Sequence, residues 1–422
     1  MSLIIFIIIS LLLITSIIVK PRLWKLDTYV LIAIIGAILM LICRQITFHE
    51  VYISLFKNNL ISPIKILILF ISMTFLSIVC DTLGLFNYLA YKIVKLCNGG
   101  QISLFTILYI SISIITVFTS NDIIILTFTP FIIYLCKRSN INPIPYLVSE
   151  FVAANTMSMM LLVGNPTNIV LALANNITFL EYFKHMWYIA LLSSLFAYIL
   201  LLIIFMRRLR EPLSINLSDN IPSINKIPTG IAVIHLLSTT ILLAISNYIN
   251  LEMYLITLVA SISLLICMLI YIGITKKEKK CLKHSFIRLP YPLIPFLISM
   301  FIMIEALNIN GYTHKLYNLL NDNTFSYGIT SFLLCNIMNN IPMSVLYSNT
   351  LAFGSSQNAI YASIIGSNIG AYLTPLGALA GILWLNILKA YDIKYSFKNF
   401  IFYGIIISIP TILFAITILY II

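Results

Sequence analysis

Apolar runs of near-bilayer length recur from one end of the chain to the other, separated by short polar or basic loops. They are apolar on all sides, the pattern of helices surrounded by lipid or by other helices rather than of strands half in water. Eight of them approach the roughly 20 residues a helix needs to cross a bilayer. They are Leu3–Val19, Thr28–Cys43, Ile64–Cys80, Trp187–Met206, Ile227–Tyr248, Met253–Ile272, Leu293–Leu307 and Asn399–Tyr420. The first lacks a small-x-small cleavage site, and Lys20, Arg22 and Lys25 follow it rather than precede it, so it reads as a retained helix and not a signal peptide.

The other apolar segments are interrupted. Thr106–Phe118 and Ile123–Cys136 are short arms joined at Thr119-Ser120-Asn121-Asp122; Tyr327–Cys335 and Pro342–Leu351 are short arms joined across 336–341. Two longer stretches, Tyr146–Asn175 and Ile360–Leu388, are broken at Gly164-Asn165-Pro166-Thr167-Asn168 and at Thr374-Pro375-Leu376-Gly377. Proline removes an amide donor and glycine loosens the helix, so both stretches are expected to unwind there. With the paired arms read as re-entrant hairpins and each broken stretch as one crossing, there are about ten crossings and both termini lie outside. The inside loops then hold 20 of the 25 lysines and arginines, as orientation by positive charge requires.

The order crossing, crossing, hairpin, broken crossing, crossing occurs over 28–206 and again, upside down, over 253–420. Residues 207–226 form a basic inside linker, and Leu3–Val19 and Ile227–Tyr248 are additional helices. The expected fold is an all-α polytopic membrane protein, a single membrane domain over 1–422 built from two inverted-topology repeats with two re-entrant hairpins and two broken helices.

Composition narrows the function. Hydrophobic residues make up 61% and charged residues 9% of the chain, far from the half and quarter of a soluble domain. The net charge of +12 sits in loops where orientation explains it, so no nucleic acid partner is expected. Seven cysteines stand singly without ligand spacing and the five histidines show none either, so buried thiols and no metal site are expected. Phosphate-loop and HExxH motifs are missing, which excludes a self-contained primary pump and a membrane metalloprotease. ATP-driven transport would need a separate ATPase subunit on the cytoplasmic side.

Broken helices survive in hydrocarbon only where protein or a polar cavity satisfies the freed backbone. Around the breaks cluster Ser120, Asn121, Asp122, Asn155, Thr156, Gly164, Asn165, Thr167 and Asn168 in the first half, and Asn339, Asn340, Ser367, Asn368, Thr374 and Gly377 in the second. Half-helix N-termini there would attract an anion or polar oxyacid, and freed carbonyls a cation. Asp122 is a carboxylate within the membrane, at an insertion cost of about 2.5 kcal/mol or more, and so a proton or cation site. Glu150, five residues before Asn155, is the second such candidate; Asp81 and Glu305 lie at span ends near an interface.

At these motifs the chain resembles the ion transporter superfamily, in its branch of arsenite permeases and NhaD-type antiporters. The carrying residues are Phe118-Thr119-Ser120-Asn121-Asp122, Asn155-Thr156-Met157-Ser158, Gly164-Asn165-Pro166-Thr167-Asn168, Asn339-Asn340-Ile341-Pro342 and Gly366-Ser367-Asn368-Ile369-Gly370. To these belong Leu373-Thr374-Pro375-Leu376-Gly377 and Asp81-Thr82-Leu83-Gly84-Leu85-Phe86. The resemblance implies a scaffold paired with a moving transport domain of hairpins and broken helices, commonly in a homodimer. Arsenite permeases of this pattern often carry Asp where this chain has Asn155 and Asn368, which leaves Asp122 and Glu150 as its titratable groups.

The expectation is therefore a secondary transporter, not an enzyme, in the inner membrane of a cell. It would exchange a small inorganic solute, arsenite or antimonite first, for protons by elevator-type alternating access, with no cofactor beyond the coupling ion, H⁺ or Na⁺. The alternatives are a Na⁺/H⁺ antiporter, a small-anion transporter and an uncoupled, channel-like facilitator.

Overall fold

The computed structural model describes residues 1–19, 22–23, 26–56, 63–95, 100–212, 224–246 and 248–421. Lys20, Lys25 and Cys97, and 213–223 of the linker, lie outside them. The first ten helices are α1 (Ser2–Val19), α2 (Thr28–Ile42), α3 (Phe48–Phe56), α4 (Pro63–Thr82), α5 (Leu85–Lys95), α6 (Gln101–Phe118), α7 (Asn121–Arg138), α8 (Ile144–Met157), α9 (Pro166–Ala174) and α10 (Phe179–Leu209). The second ten are α11 (Lys226–Ala244), α12 (Met253–Thr275), α13 (Lys279–Arg288), α14 (Leu293–Ile309), α15 (Tyr312–Leu320), α16 (Thr324–Met338), α17 (Asn340–Leu351), α18 (Gln357–Gly370), α19 (Leu379–Ala390) and α20 (Phe397–Ile421). A two-residue antiparallel pair, β1 (Arg22–Leu23) with β2 (Leu26–Asp27), turns the chain between α1 and α2.

Among the described residues, seven helical stretches are long and apolar enough to cross a membrane, with shorter apolar helices beside them. Their apolar residues serve two solvents. Leu69, Leu76 and Val79 of α4 are fully buried, whereas Ile262, Ile266 and Ile270 of α12 face outward, as a lipid-contacting surface does.

The packing repeats itself under a shift of ten helices. α2 lies on α14 and α12 on α4; α6 on α8 and α16 on α18; α8 on α10 and α18 on α20. α7 packs on α19 and α17 on α9, and the short helices follow, α5 on α7 and α15 on α17. The helices expected to be additional obey the same rule, α1 packing on α2 and α14, and α11 on α12 and α4. The correspondence in packing therefore extends to α1 and α11.

Several boundaries differ from the sequence expectation. α6 begins at Gln101 rather than Thr106, because the buried Gln101 side chain is tied down: Tyr146 Oη donates to its Oε1 (3.0 Å) and its Nε2 donates to the Glu211 carbonyl (3.2 Å). At 18 residues α6 is long enough to cross unaided, not a short arm. α10 starts at Phe179, since Thr178 caps it through Glu181 N–H (3.1 Å). The four short helices α3, α5, α13 and α15 went unread, their apolar stripes being too brief to stand out.

Candidate functional site

Both broken crossings open over the same interval, from the Ser158 cap of α8 to Asn165 and from the Ala371 cap of α18 to Ala378. Each break is wider than the proline and glycine alone required. In the first, the Asn168 amide donates to the Ser158 (2.9 Å) and Leu161 (3.2 Å) carbonyls, taking over bonds the helix would have made. Gly164 and Gly377 stand just before the restarts, where a Cβ would come to 2.2 Å from the Ser158 carbonyl oxygen and 2.5 Å from that of Gly370. Only glycine lets the chain return so closely on itself.

The hairpin tips are equally compact. Ser120 caps α7 by accepting from Ile123 N–H (3.4 Å), and Asn165 caps α9 by accepting from Thr167 N–H (3.2 Å). Asn339 alone separates α16 from α17, with φ of 75°, a region an L-residue rarely enters. It is held there because its side chain accepts from Ile341 N–H (3.4 Å) and donates to the Leu376 carbonyl of the second break (3.1 Å). The N-termini of α7, α9, α17 and α19 thus all begin inside the protein.

Most of the residues singled out from sequence meet in one buried polar network. Asn121 donates to Asn155 Oδ1 (2.9 Å), whose own amide donates to the Phe151 carbonyl (2.8 Å). Asn368 Oδ1 receives Asn165 (2.9 Å) and Ser158 (3.1 Å), and the Asn368 amide donates to Asn168 Oδ1 (2.7 Å). Thr167 and Ser367 share a hydroxyl bond of 3.1 Å, and Thr156 donates to Tyr372 Oη (3.3 Å). A second group closes the other tip. Thr374 Oγ1 donates to Asn336 Oδ1 (2.7 Å), the Asn336 amide donates to the Gly370 carbonyl (3.0 Å), and Asn340 N–H donates to the Gly377 carbonyl (3.0 Å).

Asp122 and Ser120 face away from this network into a cavity of about 330 Å³ between α7 and α19 on one side and α1, α2, α4 and α14 on the other. Ser16 of α1, Thr28 and Tyr29 of α2, Thr74 of α4, Asn386 of α19 and Arg288 supply its other polar groups. It joins a carboxylate, hydroxyls, an amide, a guanidinium and the start of α7, a set suited to a small hydroxylated solute and an exchangeable proton. Glu150 is apart from it. Fully buried on α8, Glu150 accepts from Thr129 Oγ1 (2.8 Å), while its second oxygen lies by the Trp384 indole without a well-formed hydrogen bond.

The sequence reading missed Arg288 and Tyr372 as site residues. In the sequence Arg288 is one more basic residue of an inside loop, yet it pairs with Asp81 at 2.5 Å and lines the cavity. Asp81 itself is 7% exposed, not hydrated at an interface. Tyr372 carried no signal beyond its place in the second break. Among the described residues no cluster of metal-ligating side chains occurs, and the six described cysteines are free thiols.

Comparison with known proteins places these features. The family described as the citrate transporter matches residues 12–366. A putative arsenical pump membrane protein of Bacillus subtilis is 26% identical over 382 residues, covering 82% of this chain and 84% of its own. An arsenical pump membrane protein of Escherichia coli is 26% identical over 368 residues, 81% and 82% of the two chains. An uncharacterized transporter of Mycobacterium bovis is 22% identical over 412 residues, 91% of each.

Proposed function

The chain belongs to the citrate transporter family and is a multi-pass membrane transporter of the kind that includes the arsenical pumps, and on that premise we propose that it exports arsenite or antimonite in exchange for protons. The observation that carries the reading is the cavity in which Asp122 and the capped start of α7 stand together. Arsenous acid is neutral at pH 7, so its hydroxyls suit the hydroxyl and amide lining, while Asp122 is the carboxylate that can load and release the coupling proton.

In this reading α6–α9 and α16–α19 move as the transport body, bound internally by the asparagine network, against a scaffold of α1, α2, α4, α11, α12 and α14. The two halves are inverted repeats, and the elevator step exchanges their roles. Support comes from one inequality in the repeated packing: α17 lies along α14 more extensively than α7 along α4, and the cavity fills the looser side. Asn155 and Asn368, being amides, bind solute or hold the frame, which leaves coupling to Asp122, with Glu150 positioning α7 through Thr129. The assembly is a homodimer in the inner membrane, and a cytoplasmic ATPase could dock on the basic loops.

Uptake of labelled arsenite into everted vesicles, with and without a proton gradient, tests the proposal. Accumulation that an uncoupler and Asp122→Asn both abolish is the expected result. If none occurs, the next reading is exchange of Na⁺ for H⁺, followed by Na⁺-induced proton release in the same vesicles.

A further inference from the structure

Asp81, Thr127 and Arg288 bring three separate elements together, and Arg288 also lines the cavity. Asp81 is on the last turn of α4, Arg288 ends α13, and Thr127 is on α7, five residues beyond Asp122. The buried carboxylate of Asp81 is divided between them: Oδ1 accepts from Thr127 Oγ1 at 2.8 Å, and Oδ2 pairs with Arg288 Nη1 at 2.5 Å. α13 is itself fixed to α4, since Ser285 and Cys281 reach Thr82 at 2.8 and 3.2 Å and Phe286 packs against Phe75. Arg288 therefore holds Asp81 from the scaffold side, and Thr127 alone of the three lies on the hairpin.

From this geometry we infer that Thr127–Asp81 is a latch that holds the first hairpin in the cavity-open state, with Arg288 fixing the Asp81 carboxylate on the scaffold side. Two features fit a bond that must be made and broken in every cycle. The Thr127 hydroxyl also lies 2.9 Å from the Ile123 carbonyl of its own helix, so when α7 leaves Asp81 the donor retains a partner and no buried hydroxyl is stranded. The Asp81 charge keeps Arg288 when Thr127 departs, so the carboxylate is not left buried and unpaired. A latch whose two ends are both satisfied after opening carries a low barrier. One such hydrogen bond nevertheless biases the closed arrangement by about tenfold. The second half has no such pair, for Asn308 occupies the corresponding place at the end of α14 and accepts instead from Thr313 (2.6 Å).

The inference rests on the two-body reading and not on the solute, so its test uses none. Leu126 lines the cavity and is 37% exposed. A cysteine placed there reports cavity opening by its rate of reaction with a polar maleimide in proteoliposomes, measured above the background of the parent protein. Thr127→Val in the Leu126→Cys protein is expected to slow labelling at least about threefold, and Thr127→Ser to restore it. A purely structural role for Thr127 would lower the melting temperature and leave the labelling rate of the folded protein unchanged. That result, or faster labelling, overturns the latch. Should Thr127→Val fail to fold, Thr127→Ala takes its place: slower labelling supports the latch, and labelling at the parent rate overturns it.

Discussion

Asn168 and Asn368, 200 residues apart in the chain, meet amide to amide at 2.7 Å between the two broken crossings. Each has spent its remaining groups on backbone or neighbours: Asn168 on the carbonyls of Ser158 and Leu161, Asn368 on Ser158, Asn165 and the Ile364 carbonyl. The two breaks are thus tied to each other side chain to side chain across the halves.

Removing the hub should therefore cost more than removing a spoke. Asn368→Ala strands the Asn165 amide N–H and Asn168 Oδ1 together, with about 1–3 kcal/mol for each buried group left unpaired, whereas Ser158→Ala loses a single hydroxyl. Thermal unfolding in detergent should show a markedly larger fall for Asn368→Ala.

The glycines before the two restarts give a steric prediction. Gly377→Ala brings a methyl to within 2.5 Å of the Gly370 carbonyl, and should reduce transport at least tenfold at equal expression. Gly230→Ala, with nothing within 4 Å, should match the parent in the same flux assay.

Asn339 separates backbone strain from side-chain bonding. Asn339→Gly relieves the left-handed φ but gives up the bonds to Leu376 and Ile341; Asn339→Ala gives up the bonds and keeps the strain. Glycine should be the milder replacement by about 1 kcal/mol, and equal melting temperatures would show that φ at this tip is relaxed in solution.

The Asp81–Arg288 pair invites a double-mutant cycle. Arg288→Gln strands a buried carboxylate and should destabilise by about 2 kcal/mol, less than for a wholly buried pair because the guanidinium side is 30% exposed. Adding Asp81→Asn should return most of that loss, as read by thermal melting of the four proteins.

Much of this was legible in the sequence because the breaks are chemical events. Proline at 166 and 375, glycine at 164 and 377, and runs such as Thr119-Ser120-Asn121-Asp122 interrupt apolar stretches that nothing else interrupts. Asparagine at 155 and 368, each nine residues before its glycine, also marks the register of the duplication. What stayed hidden depends on distance. Nothing near Arg288 in the chain tells that its partner is Asp81, and the basic loop around it made orientation a sufficient explanation. The corresponding packing of α1 and α11 was hidden too, since uniformly apolar helices carry no mark of what they pack against.

The shared amide network also bears on how the molecule is made. While the first half is in the membrane alone, the side chains of Asn165 and Asn168 have no Asn368 to meet, and the hydroxyl of Thr167 no Ser367. Locking of the first broken crossing into its final packing must then wait for synthesis of residues some 200 positions downstream. Two separately expressed halves, divided between α10 and α11, would be expected to rescue each other and neither to mature by itself.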